Sequence, residues 1–210
     1  MQRKIYEKLL YWKNDKIKMR YRLIGARQTG KTYSLTEFCK KEFENYVYIN
    51  LDSMENIRKI FEQTIEPEEI IKNIEAVMGI NINIKKTIIF IDEIQVSERA
   101  ISSLKYFCES EKEYKIVVAG SLLGVKINRF KSSFPVGKVW IEYLYPMDFE
   151  EFLLSIGEEK LLNLIKESYY ELKPMLDVTH KKALDLYNEY LCIGGMPAAI
   201  LNYIENNKNI

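Results

Sequence analysis

The feature that most constrains this chain is a glycine-rich run near its N-terminus, which reads Gly-Ala-Arg-Gln-Thr-Gly-Lys-Thr from Gly25 to Thr32. It fits every fixed position of the pattern G-x-x-x-x-G-K-[ST], in which backbone N–H groups surround a phosphate. An apolar stretch precedes the run, and apolar residues at helical spacing follow it. The run therefore predicts a strand–loop–helix junction that binds the phosphates of a nucleotide at a helix N-terminus.

Individual residues of this loop have separate predicted roles. Gly25 and Gly30 allow backbone geometry that a side chain would obstruct. Lys31 is expected to reach the β- and γ-phosphates of a nucleoside triphosphate, and the Thr32 hydroxyl is expected to ligate Mg²⁺. The predicted nucleotide contacts are Gly25, Ala26, Arg27, Gln28, Thr29, Gly30, Lys31, Thr32 and Tyr33. The alternative is a chance match on a glycine-containing turn, which does not account for the segments on both sides of the run.

A second motif ends in two adjacent carboxylates. The apolar residues 88–91 predict a strand buried on both faces, as in a parallel sheet. Asp92 and Glu93 follow at its C-terminal end, where open α/β sheets bind their ligands. We predict that Asp92 holds Mg²⁺, directly or through water, and that Glu93 orients and polarises the attacking water as a general base. The alternative is a solvated Asp-Glu pair, but the two motifs together are far more specific than either alone.

The position of Glu93, directly after Asp92, also indicates a class of protein. It points to the ATPase branch of P-loop proteins, in which an extra strand lies between the P-loop strand and the strand that ends in the aspartate. Residues 114–121 are the candidate for that strand, and Ser121 stands at its C-terminal end. Ser121 is predicted to lie beside the γ-phosphate as a sensor residue. The alternative is an ordinary turn serine after a glycine.

Composition narrows the class of protein less sharply. Over 210 residues, 31 Lys and Arg stand against 30 Asp and Glu, and the net charge of +1 neither supports nor excludes a polyanionic partner. No apolar run approaches the ~18 residues that a membrane span needs. The three dispersed cysteines fit no metal spacing and suit a reducing compartment. We therefore expect a cytoplasmic protein with no membrane partner.

Alternating strand and helix signals predict the fold class. Strands are expected at residues 18–25, 46–51, 87–92, 115–120 and 139–144. Their alternation with helices is typical of an α/β fold with a parallel, doubly wound sheet sandwiched by helices. Further helices are expected at residues 158–172, 181–192 and 198–205. We predict a P-loop core over residues 1–156 and a small C-terminal helical, lid-like appendage over residues 157–210.

Six short segments together resemble a family of prokaryotic AAA-type ATPases, which have an N-terminal P-loop domain, a winged-helix region and a C-terminal nuclease-like domain. The segments are residues 25–32, 90–95, 119–123, 134–139, 145–152 and 194–197. The resemblance implies a five-stranded sheet of order 5-1-4-3-2 with the P-loop strand central. It also implies ATP or ADP with Mg²⁺ as the bound nucleotide, and no Asn-Lys-x-Asp motif for guanine is found. Because the chain ends soon after Pro197, we expect it to be truncated before the later domains.

Further site residues are predicted less directly, near the C-terminus and among the arginines. Gly195-Met196-Pro197 is similar to the Gly-x-Pro element of signal-transduction ATPases. That resemblance implies that Pro197 contacts the adenine base and that Gly195 permits the close turn. The alternative is a simple helix terminator. Transition-state charge on the γ-phosphate calls for a further cation, and the candidates are Arg129, acting from a neighbouring subunit, and Arg27, acting within the loop. A surface arginine is the alternative for Arg129.

These observations leave three hypotheses about function. The first is an ATPase that hydrolyses Mg-ATP, in which the catalytic set is Glu93, Lys31, Ser121 and Arg129, and which forms a homo-oligomer if Arg129 acts in trans. The second is a nucleotide-controlled switch with little turnover. The third is a DNA- or RNA-binding regulator, which no helix-turn-helix or aromatic RNA-reading signature supports. The first is the one that both motifs predict.

Overall fold

The computed structural model describes residues 3–15, 20–121 and 139–206. They divide into a sheet unit, Glu7–Leu144, and a helical unit that combines Met1–Tyr6 with Tyr145–Ile210. Each unit has its own cluster of buried apolar side chains. The predicted boundary at residue 156, which separates a core from a lid-like segment by function, stays a prediction.

The sheet unit is built on five parallel strands. They are β1 (Arg20–Gly25), β2 (Asn45–Asn50), β3 (Thr87–Asp92), β4 (Lys115–Ser121) and β5 (Val139–Leu144). Their order in the sheet is β2-β3-β4-β1-β5, and every neighbouring pair is parallel. This confirms the predicted order 5-1-4-3-2 and the predicted doubly wound α/β class.

The position of each strand in the sheet explains its sequence. The interior strands β1 and β3 are buried along their whole length, and β3 is correspondingly an almost continuous run of isoleucine and phenylalanine. The edge strand β2 carries polar and aromatic residues instead, and its burial alternates towards its C-terminal end. The register aligns Gly25 with Ser121, and Asn50 with Asp92. The predicted functional residues of three strands therefore lie together at the carboxyl-terminal end of the sheet.

Within the described residues, one helix precedes β1, and four lie between β1 and β4 along the chain. They are α1 (Ile5–Asn14), α2 (Lys31–Glu42), α3 (Glu55–Gln63), α4 (Pro67–Met78) and α5 (Glu98–Glu109), with a 3₁₀ turn at Ile94–Val96. Local signals set their ends: α4 begins at Pro67 and ends before Gly79, which has a φ of 65°. The Ser97 hydroxyl caps α5 by accepting a hydrogen bond from the Ala100 N–H at 3.1 Å.

Over residues 145–206, the described part of the helical unit contains four helices around its own core. They are α6 (Phe149–Ser155), α7 (Glu159–Glu171), α8 (Asp177–Ile193) and α9 (Pro197–Glu205). A capping box between Asp148 and Glu151 starts α6. The helix α8 begins at Asp177 rather than at the predicted residue 181, and an acidic residue in the first turn suits the positive end of a helix. None of the described helices has the length and apolar character to cross a membrane.

Candidate nucleotide-binding site

The glycine-rich loop joins the end of β1 to the start of α2, as predicted, and its two fixed glycines are needed for different reasons. Gly30 has a φ of 90°, in the left-handed region that favours glycine. Gly25 is constrained by space, because a Cβ there would lie 2.3 Å from the carbonyl oxygen of Leu144 on β5. Between them, Gln28 also has a positive φ, 64°, and the Thr29 hydroxyl donates to the Ala26 carbonyl at 3.0 Å. The loop is thus a tight turn held by its own backbone.

The first turn of α2 faces this loop. Gly30 directly precedes the helix and has no side chain that could accept a hydrogen bond from it. The first N–H groups of α2 therefore receive no capping oxygen from position 30. Lys31 is buried, and its Nζ donates to the carbonyls of Gly25 at 3.0 Å and Ala26 at 2.6 Å. Burial lowers the pKa of Lys31, and Arg27 acts in the same direction, whereas the carboxylates at positions 92 and 93 oppose this shift. A positive helix end and a lysine therefore meet in one small loop.

Asp92 is the centre of a hydrogen-bond cluster at the end of β3. Its side chain is almost fully buried, and Oδ2 accepts from the Thr32 hydroxyl at 2.7 Å and from the Tyr48 hydroxyl at 3.1 Å. Its Oδ1 accepts from the Glu93 N–H at 2.9 Å. Burial and contact with Asp92 both raise the pKa of Tyr48, which keeps that hydroxyl protonated and able to donate. Three donors thus hold one buried carboxylate in place.

The paired oxygens of Thr32 and Asp92 suit a hard cation. A carboxylate and a hydroxyl are oxygen donors of the kind that Mg²⁺ prefers, and Mg²⁺ is usually bound by one or two carboxylates together with substrate phosphates and waters. Within the described ranges, no group of three or more His, Cys, Asp or Glu side chains is placed to hold a metal ion. As neighbouring oxygen donors, Thr32 and Asp92 are residues that could hold Mg²⁺ carried with a nucleotide.

Glu93 lies beside this pair and is engaged by a second side chain. Its backbone has a φ of 53°, a left-handed conformation that is uncommon outside glycine, and it precedes the 3₁₀ turn. Nε2 of Gln95 donates to Glu93 Oε2. Oε1 of the same Gln95 side chain accepts from the Ser121 N–H at 3.1 Å. The Glu93 carboxylate is thereby connected to the end of β4, where Ser121 is itself buried.

The structure brings together most of the site residues predicted within the sheet unit. Within the sheet unit, Lys31, Thr32, Asp92, Glu93 and Ser121 meet at the carboxyl ends of β1, β3 and β4. Arg27 and Tyr33 belong to the same loop and helix start, and both are exposed. Arg129 lies outside the described residues, and its role stays a prediction.

Pro197 belongs to the helical unit. It is the first residue of α9, while Gly194 follows the end of α8. A Cβ on Gly195 would lie 2.1 Å from the Met147 carbonyl oxygen, and the Gly195 carbonyl accepts from the Met147 N–H at 2.6 Å. The glycine at position 195 is therefore required by a close backbone approach inside this unit. The contact of Pro197 with a base stays a prediction.

Sequence reasoning missed two residues of the site, Tyr48 and Gln95. Tyr48 lies two residues before the end of β2, whose register places its last residue, Asn50, beside Asp92. Polar residues at the end of the strand next to the predicted magnesium ligand were the available signal. Gln95 follows the two carboxylates closely, but its contacts depend on the left-handed turn at Glu93, which no sequence pattern predicts for a glutamate.

Comparison with known proteins matches this chain to a sequence family and to solved structures. The sequence model of a family described as an AAA domain matches residues 18–153. Among solved structures, the chain is similar to PABY2304 of Pyrococcus abyssi, a Walker-type ATPase, with 18% identity over 98% of this chain and 68% of that one and a TM-score of 0.50. A structure of Hsp104 with ATPγS and FITC-casein is similar with 15% identity over 95% of this chain and a TM-score of 0.53.

These two likenesses concern the fold. The chain spans about two thirds of PABY2304 (68%) and about a third of the Hsp104 chain (35%). Comparison with curated proteins finds no match. Together with the strand order, the likenesses show that the fold is that of a P-loop NTPase.

Proposed function

We propose that this chain, which belongs to the AAA domain family, binds Mg-ATP and hydrolyses it to ADP and phosphate. The observation that carries the proposal is the hydrogen bond of 2.7 Å between Thr32, at the start of α2, and the buried Asp92, at the end of β3. It joins the two motifs whose side chains would share one Mg²⁺, at a helix N-terminus suited to phosphate. ATP rather than GTP is proposed from the family and from the lack of a guanine-reading motif.

Binding of the phosphates is assigned to the loop Gly25–Thr32 and to Tyr33 after it. The N–H groups at the start of α2 and the ammonium group of Lys31 would donate to phosphate oxygens. Thr32 and Asp92 would hold Mg²⁺, which neutralises charge on the β- and γ-phosphate oxygens when it is bound. Arg27 is exposed at the loop, and we propose that it contacts the phosphates of the nucleotide bound to its own chain.

The chemical step is assigned to Glu93. Its carboxylate would orient a water molecule and take a proton from it as the water oxygen bonds to the γ-phosphorus. The bond from the γ-phosphorus to the bridging oxygen breaks, and ADP leaves with that oxygen. Lys31 would stabilise the developing negative charge. Ser121, aligned with Gly25 in the sheet, is proposed to sense the γ-phosphate, and Arg129 to supply a further positive charge from a neighbouring copy of the chain.

We further propose that hydrolysis drives or switches a conformational change.

The test of ATP hydrolysis is a single-turnover assay with Mg²⁺ over a wide range of protein concentration, with Lys31→Ala and Glu93→Gln measured in parallel. Lys31→Ala should lose binding or turnover. Glu93→Gln should retain binding and lose ~10²–10⁴-fold in rate, the range for a general base.

The outcomes of this test separate the alternatives. A rate per protein that rises with concentration would support assembly in trans and make Arg129 the next residue to change. A flat, near-zero rate with ATP still bound would favour the nucleotide-controlled switch. Normal hydrolysis by Glu93→Gln would remove Glu93 from the mechanism.

A further inference from the structure

We propose that Gln95 is a positioning residue that holds Glu93 in its working orientation and couples it to the end of β4 at Ser121. The inference deepens the proposed function and rests on it. It concerns a side chain that neither of the two motifs assigns, and it follows from the contacts that this side chain makes at both of its ends.

The two ends of the Gln95 carboxamide contact different elements of the site. Nε2 donates to Oε2 of Glu93, and Oε1 accepts from the Ser121 N–H at 3.1 Å. Because the carboxamide is planar and rigid, its nitrogen and oxygen cannot move independently. A displacement of the β4 terminus at Ser121 would therefore turn the donor that faces Glu93.

This contact also selects which oxygen of Glu93 can serve the reaction. A glutamate has three side-chain torsions, and the last of them is broad, so an unrestrained carboxylate samples many orientations. With Oε2 held by Gln95, the carboxylate is restricted. Among the residues that the structure describes, Oε1 of Glu93 accepts no hydrogen bond, and it is the oxygen that would receive a proton from water.

The backbone on both sides of Gln95 is adapted to this contact. The left-handed turn at Glu93, with a φ of 53°, allows the side chain of residue 95 to meet that of residue 93. At the other end, residue 120 is a glycine, and a Cβ there would lie 2.9 Å from Gln95 Oε1. The left-handed backbone at Glu93 and the absence of a side chain at Gly120 thus both leave room for the Gln95 carboxamide.

The test compares two changes at position 95. Gln95→Glu keeps an oxygen that can accept from Ser121 but replaces the donor to Glu93 with a second carboxylate. Gln95→Leu removes both contacts. We expect both to lower kcat ~10–100-fold, the usual effect of losing a group that orients a catalytic one. The Kd of Gln95→Leu for a non-hydrolysable ATP analogue with Mg²⁺ should stay within about twofold of the unchanged protein, since this change adds no charge and does not touch the phosphate loop.

Val96→Ala, an exposed position on the same 3₁₀ turn, is the matched control and should leave kcat unchanged. If Gln95 only braced β4, Gln95→Glu would retain full kcat, and this result would overturn the proposal. In Gln95→Leu, a loss of analogue binding equal to the loss of kcat would overturn it as well. Thermal unfolding of each variant within a few degrees of the unchanged protein would exclude a general loss of folding.

A double-mutant cycle tests whether Gln95 acts through Glu93. If it does, adding Gln95→Leu to Glu93→Gln should cause no further loss in the residual single-turnover rate. A further loss as large as the one that Gln95→Leu causes alone would show that Gln95 acts independently of Glu93, against the proposal.

A readout that needs no turnover is the backbone amide resonance of Ser121. It should shift in Gln95→Leu, which removes its acceptor, and in Glu93→Ala, which releases the other end of the Gln95 carboxamide. If the unchanged protein did not hydrolyse ATP, the proposed function would fail, but this resonance would still decide the coupling. A Ser121 amide that did not respond to Glu93→Ala would overturn the inference.

Discussion

Replacing Gly25 with alanine tests whether the phosphate loop is held against β5 by backbone contact. The new Cβ would lie 2.3 Å from the Leu144 carbonyl oxygen and 3.1 Å from Thr29 Oγ1. Non-bonded atoms of this kind rest at roughly 3.4 Å or more, so β1 and β5 would have to separate locally by about 1 Å. The carbonyl belongs to the backbone and cannot rotate away as a side chain would.

The expected cost follows from that displacement. It would break the last β1–β5 hydrogen bonds, which contribute ~1 kcal/mol each, and add ~1–3 kcal/mol of packing strain. We therefore expect Gly25→Ala to lower the free energy of unfolding by ~2–4 kcal/mol and to lose nucleotide binding. Urea unfolding measures the first effect, with fluorescence from Trp12 and Trp140, which both lie in the sheet unit.

Gly79→Ala is the matched control. Gly79 has a φ of 65° but nothing within 4 Å of an added Cβ, so alanine should cost only the ~1–2 kcal/mol of the left-handed conformation, with nucleotide binding retained. If Gly25→Ala cost no more than Gly79→Ala and still bound nucleotide, the Leu144 carbonyl would not constrain position 25.

Two predictions concern the helical unit. Arg3→Leu should destabilise this unit by ~3–5 kcal/mol, because Glu151 would stay charged and buried without its ion pair of 3.0 Å. Lys4 is exposed, so Lys4→Leu should cost ~1 kcal/mol or less. Hydrogen exchange of α6 measures both effects. Asp148→Asn should flatten the loss of stability in acid. Burial alone would raise the pKa of Asp148, but Lys4 and backbone N–H groups outweigh it and lower that pKa. A carboxylate with a lowered pKa stabilises the fold above its unfolded pKa, and this contribution is lost as the pH falls through the folded value. Asparagine keeps the helix cap but cannot titrate, so equal acid sensitivity of both proteins in thermal melts would contradict this account.

Much of the sheet could be predicted because its signals are local. The bounds of β3 were predicted to the residue, since an apolar run marks them. The start of α8 was placed too late because its first turns carry exposed apolar residues such as Val178, and these weaken the periodic pattern. The roles of Tyr48 and Gln95 depend on strand register and on a left-handed turn, which link residues far apart or in unusual backbone conformations.

Gly25 shows a second limit of sequence reasoning. The motif predicts a glycine there because backbone must approach phosphate. The structure adds a requirement from the opposite side, the Leu144 carbonyl on β5. That contact joins distant parts of the chain, and it depends on the register that aligns Gly25 with Leu144, which the predicted strand order alone does not give.

The hydrogen bonds of Lys31 bear on which anions the loop would select. Because its ammonium group already donates to the carbonyls of Gly25 and Ala26, an incoming anion competes with two acceptors that belong to the protein. An anion that replaces them with one poorly placed oxygen gains little, since the exchange leaves the number of hydrogen bonds no larger. A polyphosphate chain offers several charged oxygens and would replace the two carbonyls as acceptors of the Lys31 ammonium group. The two carbonyls of the loop would thereby compete with an incoming anion and disfavour one with a single acceptor atom, such as chloride.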